Sequence, residues 1–399
     1  MCQERGFNGP QQVCYNSASS VFCEPLLNPG TSMSVRLPIP AYEEQDAVFR
    51  RAFSVLQDAI AQRALPAASI AVTHRGRLVA LKALGRFTYA ADSPVVHAES
   101  VFDLASISKA IATTTMAMIL YERGLLDLEM PLVHVVPEFA GEDERRREVN
   151  FRQLLVHSSG LPAYEKLFLK AKTRDDLLQA AFSVPLAADP ETKAEYSDIG
   201  FILLGLALER LADESLDRFC QREVFGPLGM TRTAFNPPKA WREIAVPTAD
   251  DQSFRHRVIQ GEVQDENASV LGGVAGHAGL FSTASDVAVF AASLIEGSPP
   301  IVRPETLTLF TRRESSPPGT SRALGWDTPS APSQSGKFFS ANAYGHLGYT
   351  GTSLWIDPER QLSVTLLTNR TWPDCRSQAI KQVRPAFHDA VMETLEALR

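Results

Sequence analysis

The segment FDLASISKAIATTTMAMILYERG, residues 102–124, places Ser106 three residues before Lys109 at the start of a long apolar run. The run predicts a buried helix, and residues three apart share one face of a helix. A serine becomes a nucleophile when a base takes its proton, and a lysine whose pKa is lowered by burial can be that base. The spacing alone is equally consistent with a polar helix start, because about one Ser-x-x-Lys match is expected by chance in such a chain.

Two further segments place polar residues at the starts of predicted elements. In AEYSDIGFILLG, Tyr196 and Asp198 precede a second apolar helix, although an aspartate at this place can simply cap the helix. In YGHLGYTGTSLWIDP, His346, Gly348 and Gly351 lead into a predicted strand. Glycine in a strand often marks the close approach of a ligand or of another backbone, and an ordinary turn before an edge strand is the alternative.

Taken together, the three motifs resemble the serine β-lactamase and penicillin-binding-protein superfamily, in which S-x-x-K, Y-x-N and K-T-G or H-x-G line one cleft. The chain is similar to the class C β-lactamase branch, which also contains D-alanyl-D-alanine peptidases, D-aminopeptidases and family VIII carboxylesterases. Other stretches that resemble this branch are LLVHSSGLP, VFGPLGMTRTAFNP and GEVQDENASVLGGVAGHAGLFSTASDVAVF. The resemblance covers roughly residues 41–399.

The resemblance implies a serine hydrolase that works through an acyl-enzyme. Ser106 would be the nucleophile, and Lys109 and Tyr196 would share the transfer of its proton. The backbone N–H groups of Ser106 and Tyr349 would form the oxyanion hole. His346 would act beside Tyr196 as a proton or electrostatic partner, and the reaction would need no metal or cofactor.

Two residues depart from the pattern of the superfamily. Asp198 replaces the usual asparagine, and its carboxylate should favour the charged form of Lys109, which shifts the role of base toward Tyr196. Leu347, next to Gly348 in the substrate cleft, replaces a threonine that helps to hold a substrate carboxylate. The missing hydroxyl removes one hydrogen bond from such a substrate, at a cost of about 1 kcal/mol or more.

Leu347 therefore favours an esterase-like hydrolase of carboxylic esters or amides. Hydrolysis of β-lactams and of D-amino-acid peptides, by a DD-peptidase or D-aminopeptidase, stays open. A penicillin sensor that is acylated without turnover is an alternative of another class. The expected partner is a small ester, amide or β-lactam, and the sequence does not give the oligomeric state. His277 in GVAGHAGLF and His157 in VHSSGLP are predicted to be structural.

The elements that position these residues predict an α+β fold of the β-lactamase/transpeptidase type. Strand-like runs lie at residues 68–74, 77–85, 352–358 and 361–369, whereas helical signals dominate the middle of the chain. The economical arrangement is an antiparallel sheet flanked by terminal helices at 43–64 and 376–398, with the site in a cleft. We expect a discontinuous α/β domain of residues 41–125 and 333–399, and a mainly helical domain of residues 126–332.

Composition and charge exclude other classes of function. The formal net charge of −7 argues against nucleic-acid and anionic-membrane partners, which would need a basic face. No run approaches the ~20 apolar residues of a membrane span. Five cysteines without a CxxC pair indicate a reducing compartment, and without a recognisable signal peptide a cytoplasmic location is favoured over a periplasmic one. Residues 1–40 are predicted to be a disordered or mis-annotated extension, with Met33 as a candidate start.

Overall fold

A computed structural model describes residues 44–297 and 301–398 of the chain. The predicted N-terminal extension therefore lies outside the described residues. The described chain combines twelve α-helices with ten strands in antiparallel sheets, and this confirms the predicted α+β class. The strands are β1 Ala67–His74, β2 Arg77–Gly85, β3 Phe102–Asp103, β4 Ala234–Phe235, β5 Ala249–Asp251, β6 Arg257–Ile259, β7 Leu280–Ser282, β8 Tyr344–Leu347, β9 Ser353–Asp357 and β10 Leu362–Thr368.

The helices fall mostly between the strands of the two chain ends, as the apolar periodicity predicts. They are α1 Gln45–Val48, α2 Arg50–Ala61, α3 Thr115–Glu122, α4 Phe151–Leu155, α5 Arg174–Phe182, α6 Asp198–Ala212, α7 Leu216–Cys220, α8 Gly226–Leu228, α9 Glu266–Val270, α10 Ala284–Glu296, α11 Pro304–Thr311 and α12 Ile380–Ala397. No helix in this described portion is both long and apolar enough to cross a membrane.

The central sheet joins the two ends of the chain. Its five strands lie in the order β2-β1-β10-β9-β8, and every neighbouring pair is antiparallel. The register pairs Ala71 with Thr365 and His346 with Leu354. β1, β9 and β10 are buried along nearly their whole length, including the polar residues that alternate with the apolar ones in β10.

Helices cover both faces of this sheet. On one face, α2 and α12 pack against each other and against strand residues such as Val72 and Val364. These residues form the smaller of two hydrophobic clusters, called the second hydrophobic cluster below. On the other face, α10 packs on β1 and β10, and the main hydrophobic cluster continues from there into α3 and α6. α10 belongs to the predicted helical domain, yet it packs on the sheet. The division into two domains stays a prediction.

The helix that follows Ser106 differs from the regular α-helix expected. Its first part, Lys109–Thr114, is π-helical, and α3 continues from Thr115. π-helical turns are rare and are often found at functional sites. The helix ends before Gly124, whose φ of 69° provides the left-handed position that terminates many helices.

Candidate active site

The turn that carries Ser106 is held in an unusual backbone conformation. Ala105, directly before the serine, has a φ of 48°, a left-handed value that is uncommon for a residue other than glycine. The Asp103 carboxylate accepts the Ala105 N–H at 2.8 Å, and the Ser108 hydroxyl donates to the Ala105 carbonyl at 2.6 Å. Strain of this kind costs about 1 kcal/mol or more and persists only where neighbours enforce it. These two contacts therefore fix the direction in which Ser106 points.

Lys109 is fully buried, and its amine lies within hydrogen-bonding distance of three oxygens. Nζ is 3.0 Å from Ser106 Oγ, 2.6 Å from Asp198 Oδ1 and 2.9 Å from the His277 carbonyl oxygen. Nζ donates to Asp198 and to the His277 carbonyl, and its contact with Ser106 Oγ can be a donation by the ammonium or, for the neutral amine, an acceptance of the serine proton. Burial lowers the pKa of Lys109, although the Asp198 carboxylate opposes the shift.

Tyr196 completes the contacts of the serine. Its hydroxyl lies 2.7 Å from Ser106 Oγ and 3.1 Å from Asp198 Oδ1. Burial, followed by the Asp198 charge, raises the pKa of Tyr196 well above its usual value, so the side chain stays a phenol at neutral pH. The His157 ring packs on the Tyr196 ring with centroids 4.7 Å apart, and His157 Nδ1 accepts the Ser197 N–H. His157 thus helps to fix the position of the Tyr196 ring.

His346 approaches the same tyrosine from β8, with ring centroids 6.2 Å apart. Its Nδ1 lies 2.8 Å from the Leu347 carbonyl, which can only accept, so Nδ1 carries the proton. Nε2 is buried and has no hydrogen-bond partner within the described residues. Burial lowers the pKa of His346 to about 3, with the charges of Lys109 and Arg322 adding to the effect. At neutral pH this side chain is therefore an uncharged acceptor.

Two backbone N–H groups, one on the serine itself and one on the loop after β8, could stabilise an oxyanion. The N–H groups of Ser106 and Tyr349 donate to no other group in the part of the chain that the structure describes. The glycine before Tyr349 is required by close packing, because a Cβ on Gly348 would lie 2.5 Å from the Leu104 carbonyl oxygen. The Thr352 hydroxyl also donates to that carbonyl at 3.0 Å. These contacts hold the loop after β8 against the turn before Ser106.

The structure thus joins Ser106, Lys109, Tyr196 and Asp198 in one hydrogen-bonded cluster, with His346 beside it. The side chain of Leu347 does not join this cluster. It is partly buried and packs against the second hydrophobic cluster, because adjacent residues of a strand point to opposite faces.

Three nearby groups were not assigned to the site by sequence reasoning. The His277 carbonyl contacts Lys109, and the His277 ring, predicted only to be structural, lies with Nε2 2.8 Å from Asp265 Oδ1. The Arg322 guanidinium lies over the Tyr196 ring, 5.6 Å from its centroid. The glycines around His277 are the only sequence signal of a close approach here, since Arg322 follows an irregular Pro/Ser-rich loop. In the described residues no group of His, Cys, Asp and Glu could hold a metal ion.

Comparisons with known proteins show the family to which the chain belongs. A family model described as Beta-lactamase matches residues 49–385. The chain is 32% identical to the N-acetylmuramyl-L-alanine amidase of Bacillus subtilis (strain 168), over 76% of this chain and 77% of the relative. It is 31% identical to a putative D-alanyl-D-alanine carboxypeptidase of Escherichia coli (strain K12), over 68% and 69% of the two chains.

Solved structures show the same fold at lower sequence identity. EstCE1, a hydrolase with promiscuous acyltransferase activity, superimposes with a TM-score of 0.72 at 22% identity, over 88% of this chain and all of the other. A penicillin-binding protein homologue from Caulobacter crescentus gives a TM-score of 0.68 at 17% identity, over 89% and 98% of the two chains. The predicted resemblance and the predicted fold are therefore confirmed.

Proposed function

Because this chain belongs to the β-lactamase family of hydrolases, we propose that Ser106 is the nucleophile of a two-step acyl transfer from carboxylic esters and amides to water. The observation that carries the proposal is the placement of Ser106 Oγ, 3.0 Å from Lys109 Nζ and 2.7 Å from the Tyr196 hydroxyl. One neighbour can take the serine proton while the other gives a proton to the leaving group.

Lys109 is the base of the first step. Its neutral amine takes the proton of Ser106 while Oγ forms a bond to the substrate carbonyl carbon, and the carbonyl π electrons move onto oxygen. The resulting oxyanion accepts hydrogen bonds from the N–H groups of Ser106 and Tyr349. The sequence moved this role toward Tyr196 because of Asp198, whereas the complete burial of Lys109, which lowers the pKa of its amine, supports Lys109 as the base.

Tyr196 is the acid that protonates the leaving group. Its raised pKa keeps the phenolic proton in place until the tetrahedral intermediate collapses, and the amine or alcohol then departs with that proton. The ammonium of Lys109 then returns its proton to the Tyr196 phenolate through a water, because Ser106 Oγ is now the ester oxygen of the acyl-enzyme. In the second step Lys109 takes a proton from the water that attacks the acyl carbon, and it gives that proton to Ser106 Oγ as the acyl bond breaks.

The site supports both esters and amides as substrates. The esterase-like preference is predicted from Leu347, which lacks the hydroxyl of a threonine. In the structure its side chain packs against the second hydrophobic cluster. A second candidate is the cleavage of D-alanyl peptides, which is favoured by the similarity to the putative D-alanyl-D-alanine carboxypeptidase of Escherichia coli. Both candidate functions use the same acyl-enzyme mechanism, with Ser106 as the residue that is acylated.

The test is a side-by-side assay of a short-chain p-nitrophenyl ester, nitrocefin and a D-alanyl p-nitroanilide. Ser106→Ala should abolish turnover of every substrate that the wild type hydrolyses, whereas Ser330→Ala, at an exposed serine, should not. Mass spectrometry should find the acyl group on the peptide that contains Ser106. Full activity of Ser106→Ala would show that the nucleophile is misassigned, and a permanent adduct without turnover would indicate a penicillin sensor.

A further inference from the structure

Two buried arginines lie behind the loop that follows β8. Arg384 of α12 and Arg370, which follows β10, are only 6% and 5% exposed. Within the described residues neither forms an ion pair, and both guanidinium groups donate to backbone carbonyls; Arg370 Nε donates to the Tyr349 carbonyl at 2.7 Å. A buried charge without a counterion is costly, so it is poorly explained by stability alone. The placement of the two charges beside the site points to a role in the reaction.

The contacts of Arg384 converge on one turn of this loop. Its Nη2 donates to the Gly348 carbonyl at 2.5 Å and to the Thr352 carbonyl at 3.0 Å, and its Nε donates to the Gly351 carbonyl at 3.1 Å. The turn is closed by the Gly351 N–H, which donates to the Gly348 carbonyl at 3.0 Å. One side chain of α12 therefore fixes three carbonyls of the turn.

The Gly348 carbonyl belongs to the same peptide group as the Tyr349 N–H. This peptide is trans, so its C=O and N–H bonds point in opposite directions, and Arg384 donates on one side while the N–H is free on the other. A charged donor on the carbonyl polarises the amide and makes its N–H a stronger donor, because hydrogen bonds in a chain strengthen one another. Burial, with the charge of Arg370, lowers the pKa of Arg384 to about 9, so the guanidinium stays charged at neutral pH.

We propose that Arg384 is a positioning residue of the oxyanion hole, which fixes and polarises the Gly348–Tyr349 peptide so that the Tyr349 N–H binds the oxyanion more strongly. This inference rests on the proposed function, because it takes the Tyr349 N–H as a donor to the oxyanion. The oxyanion supplies the negative charge that the buried guanidinium otherwise lacks. Because this charge develops only during the reaction, the interaction lowers the barrier and does not tighten the binding of substrate.

One NMR signal reports on this peptide directly. Gly348–Tyr349 is the only Gly–Tyr pair in the sequence, so glycine labelled with ¹³C at its carbonyl and tyrosine labelled with ¹⁵N give a single HNCO peak. Arg384→Met should move the Gly348 carbonyl signal upfield, because a hydrogen bond to a carbonyl oxygen deshields its carbon. Arg384→Lys should move the signal less, because an ammonium keeps a charged donor without the planar fork of the guanidinium.

Arg146→Met is the matched control variant. Arg146 is buried as well, and it donates to three backbone carbonyls outside this loop, those of Phe139, Phe182 and Val184. Its replacement removes contacts of the same kind, so the Gly348 signal should stay in place even if the melting temperature falls. An equal movement of the signal in Arg146→Met and Arg384→Met would assign the effect to a general loosening of the fold and would overturn the proposal.

Kinetics and inhibition test the effect on the oxyanion. In Arg384→Met, kcat/KM for a p-nitrophenyl ester should fall by about 10-fold, less than the roughly 10²- to 10³-fold loss caused by removal of a whole oxyanion donor. The affinity for phenylboronic acid, whose adduct with Ser106 is tetrahedral and anionic, should fall by a similar factor. Arg146→Met should keep both values, and Arg384→Lys should recover part of the loss.

The two kinds of measurement separate this proposal from the proposed function. If the wild type hydrolyses no substrate, the proposed function fails, and the Gly348 signal still decides whether Arg384 polarises the peptide. A Gly348 signal that stays in place in Arg384→Met would overturn the polarisation. A moved signal with unchanged kcat/KM and unchanged boronic acid affinity would overturn the role of Arg384 in the oxyanion hole.

Discussion

Replacing Tyr196 by phenylalanine separates the proposed acid from the proposed base. The substitution removes only the hydroxyl that lies 2.7 Å from Ser106 Oγ. The ring keeps its packing against His157, at 4.7 Å between centroids, and its contact with the Lys109 amine at 4.8 Å. Asp198 keeps its hydrogen bond from Lys109. The base and the nucleophile therefore stay in place while the proton donor is lost.

The expected loss depends on the leaving group. Amide hydrolysis requires protonation of the departing amine, so kcat/KM for a D-alanyl p-nitroanilide should fall by the usual contribution of a general acid, about 10²- to 10⁴-fold, or about 3 to 5 kcal/mol of transition-state stabilisation. A nitrophenolate departs without a proton. For a p-nitrophenyl ester the loss is one hydrogen bond to Ser106, about 0.5 to 1.5 kcal/mol, or roughly 2- to 10-fold.

Release of p-nitroaniline or p-nitrophenol from the two substrates gives both values in one spectrophotometric assay. The matched variant is Lys109→Met, which removes the proposed base and should lower both rates by about 10²-fold or more. A thermal melt of each variant checks that the protein is folded, because Lys109→Met leaves Asp198 without its hydrogen bond from the amine. An equal loss on both substrates in Tyr196→Phe, matching that in Lys109→Met, would falsify the assignment and make Tyr196 the base.

Two further predictions concern the pH dependence and the packing of the site. The carboxylate of Asp198 raises the pKa of Lys109, so Asp198→Asn should lower the pKa of Lys109 further. The rise of kcat/KM with increasing pH should then move to lower pH. A pH profile that stays in place or moves to higher pH would contradict the role of Lys109 as base. Gly348→Ala would bring a Cβ to 2.5 Å from the Leu104 carbonyl, and the displaced loop should lower kcat/KM by about 10²-fold. Gly200→Ala, where the nearest atom lies at an ordinary 3.5 Å, is the control, and similar losses in both variants would refute the packing argument.

Local sequence patterns determine much of this fold. The apolar run after Arg50 and the two strand-like runs around Arg75 produce α2, β1 and β2 close to their predicted bounds, because periodicity and turn residues act over short distances. The motif residues are also local, since Ser106 and Lys109 are brought together by a single helical turn. Even so, local pattern did not reveal that the first turns after Ser108 are π-helical.

The roles of the site residues depend on contacts that only the tertiary structure makes. The acceptors around the Lys109 amine come from Asp198, 89 residues away, and from His277, 168 residues away. The sequence suggested that Asp198 would keep the lysine charged, but the pKa also depends on the complete exclusion of solvent, which no local pattern encodes.

The direction of side chains beside the site was likewise decided by packing. Leu347 joins the core because β8 pairs with β9, and Arg322 meets Tyr196 because its loop adds to the free edge of β8. The sequence by itself determined which groups can do the chemistry. The tertiary structure determined the burial and the neighbours that shift the pKa values of these groups, because electrostatic energies depend on distances and burial set by residues far apart in the chain.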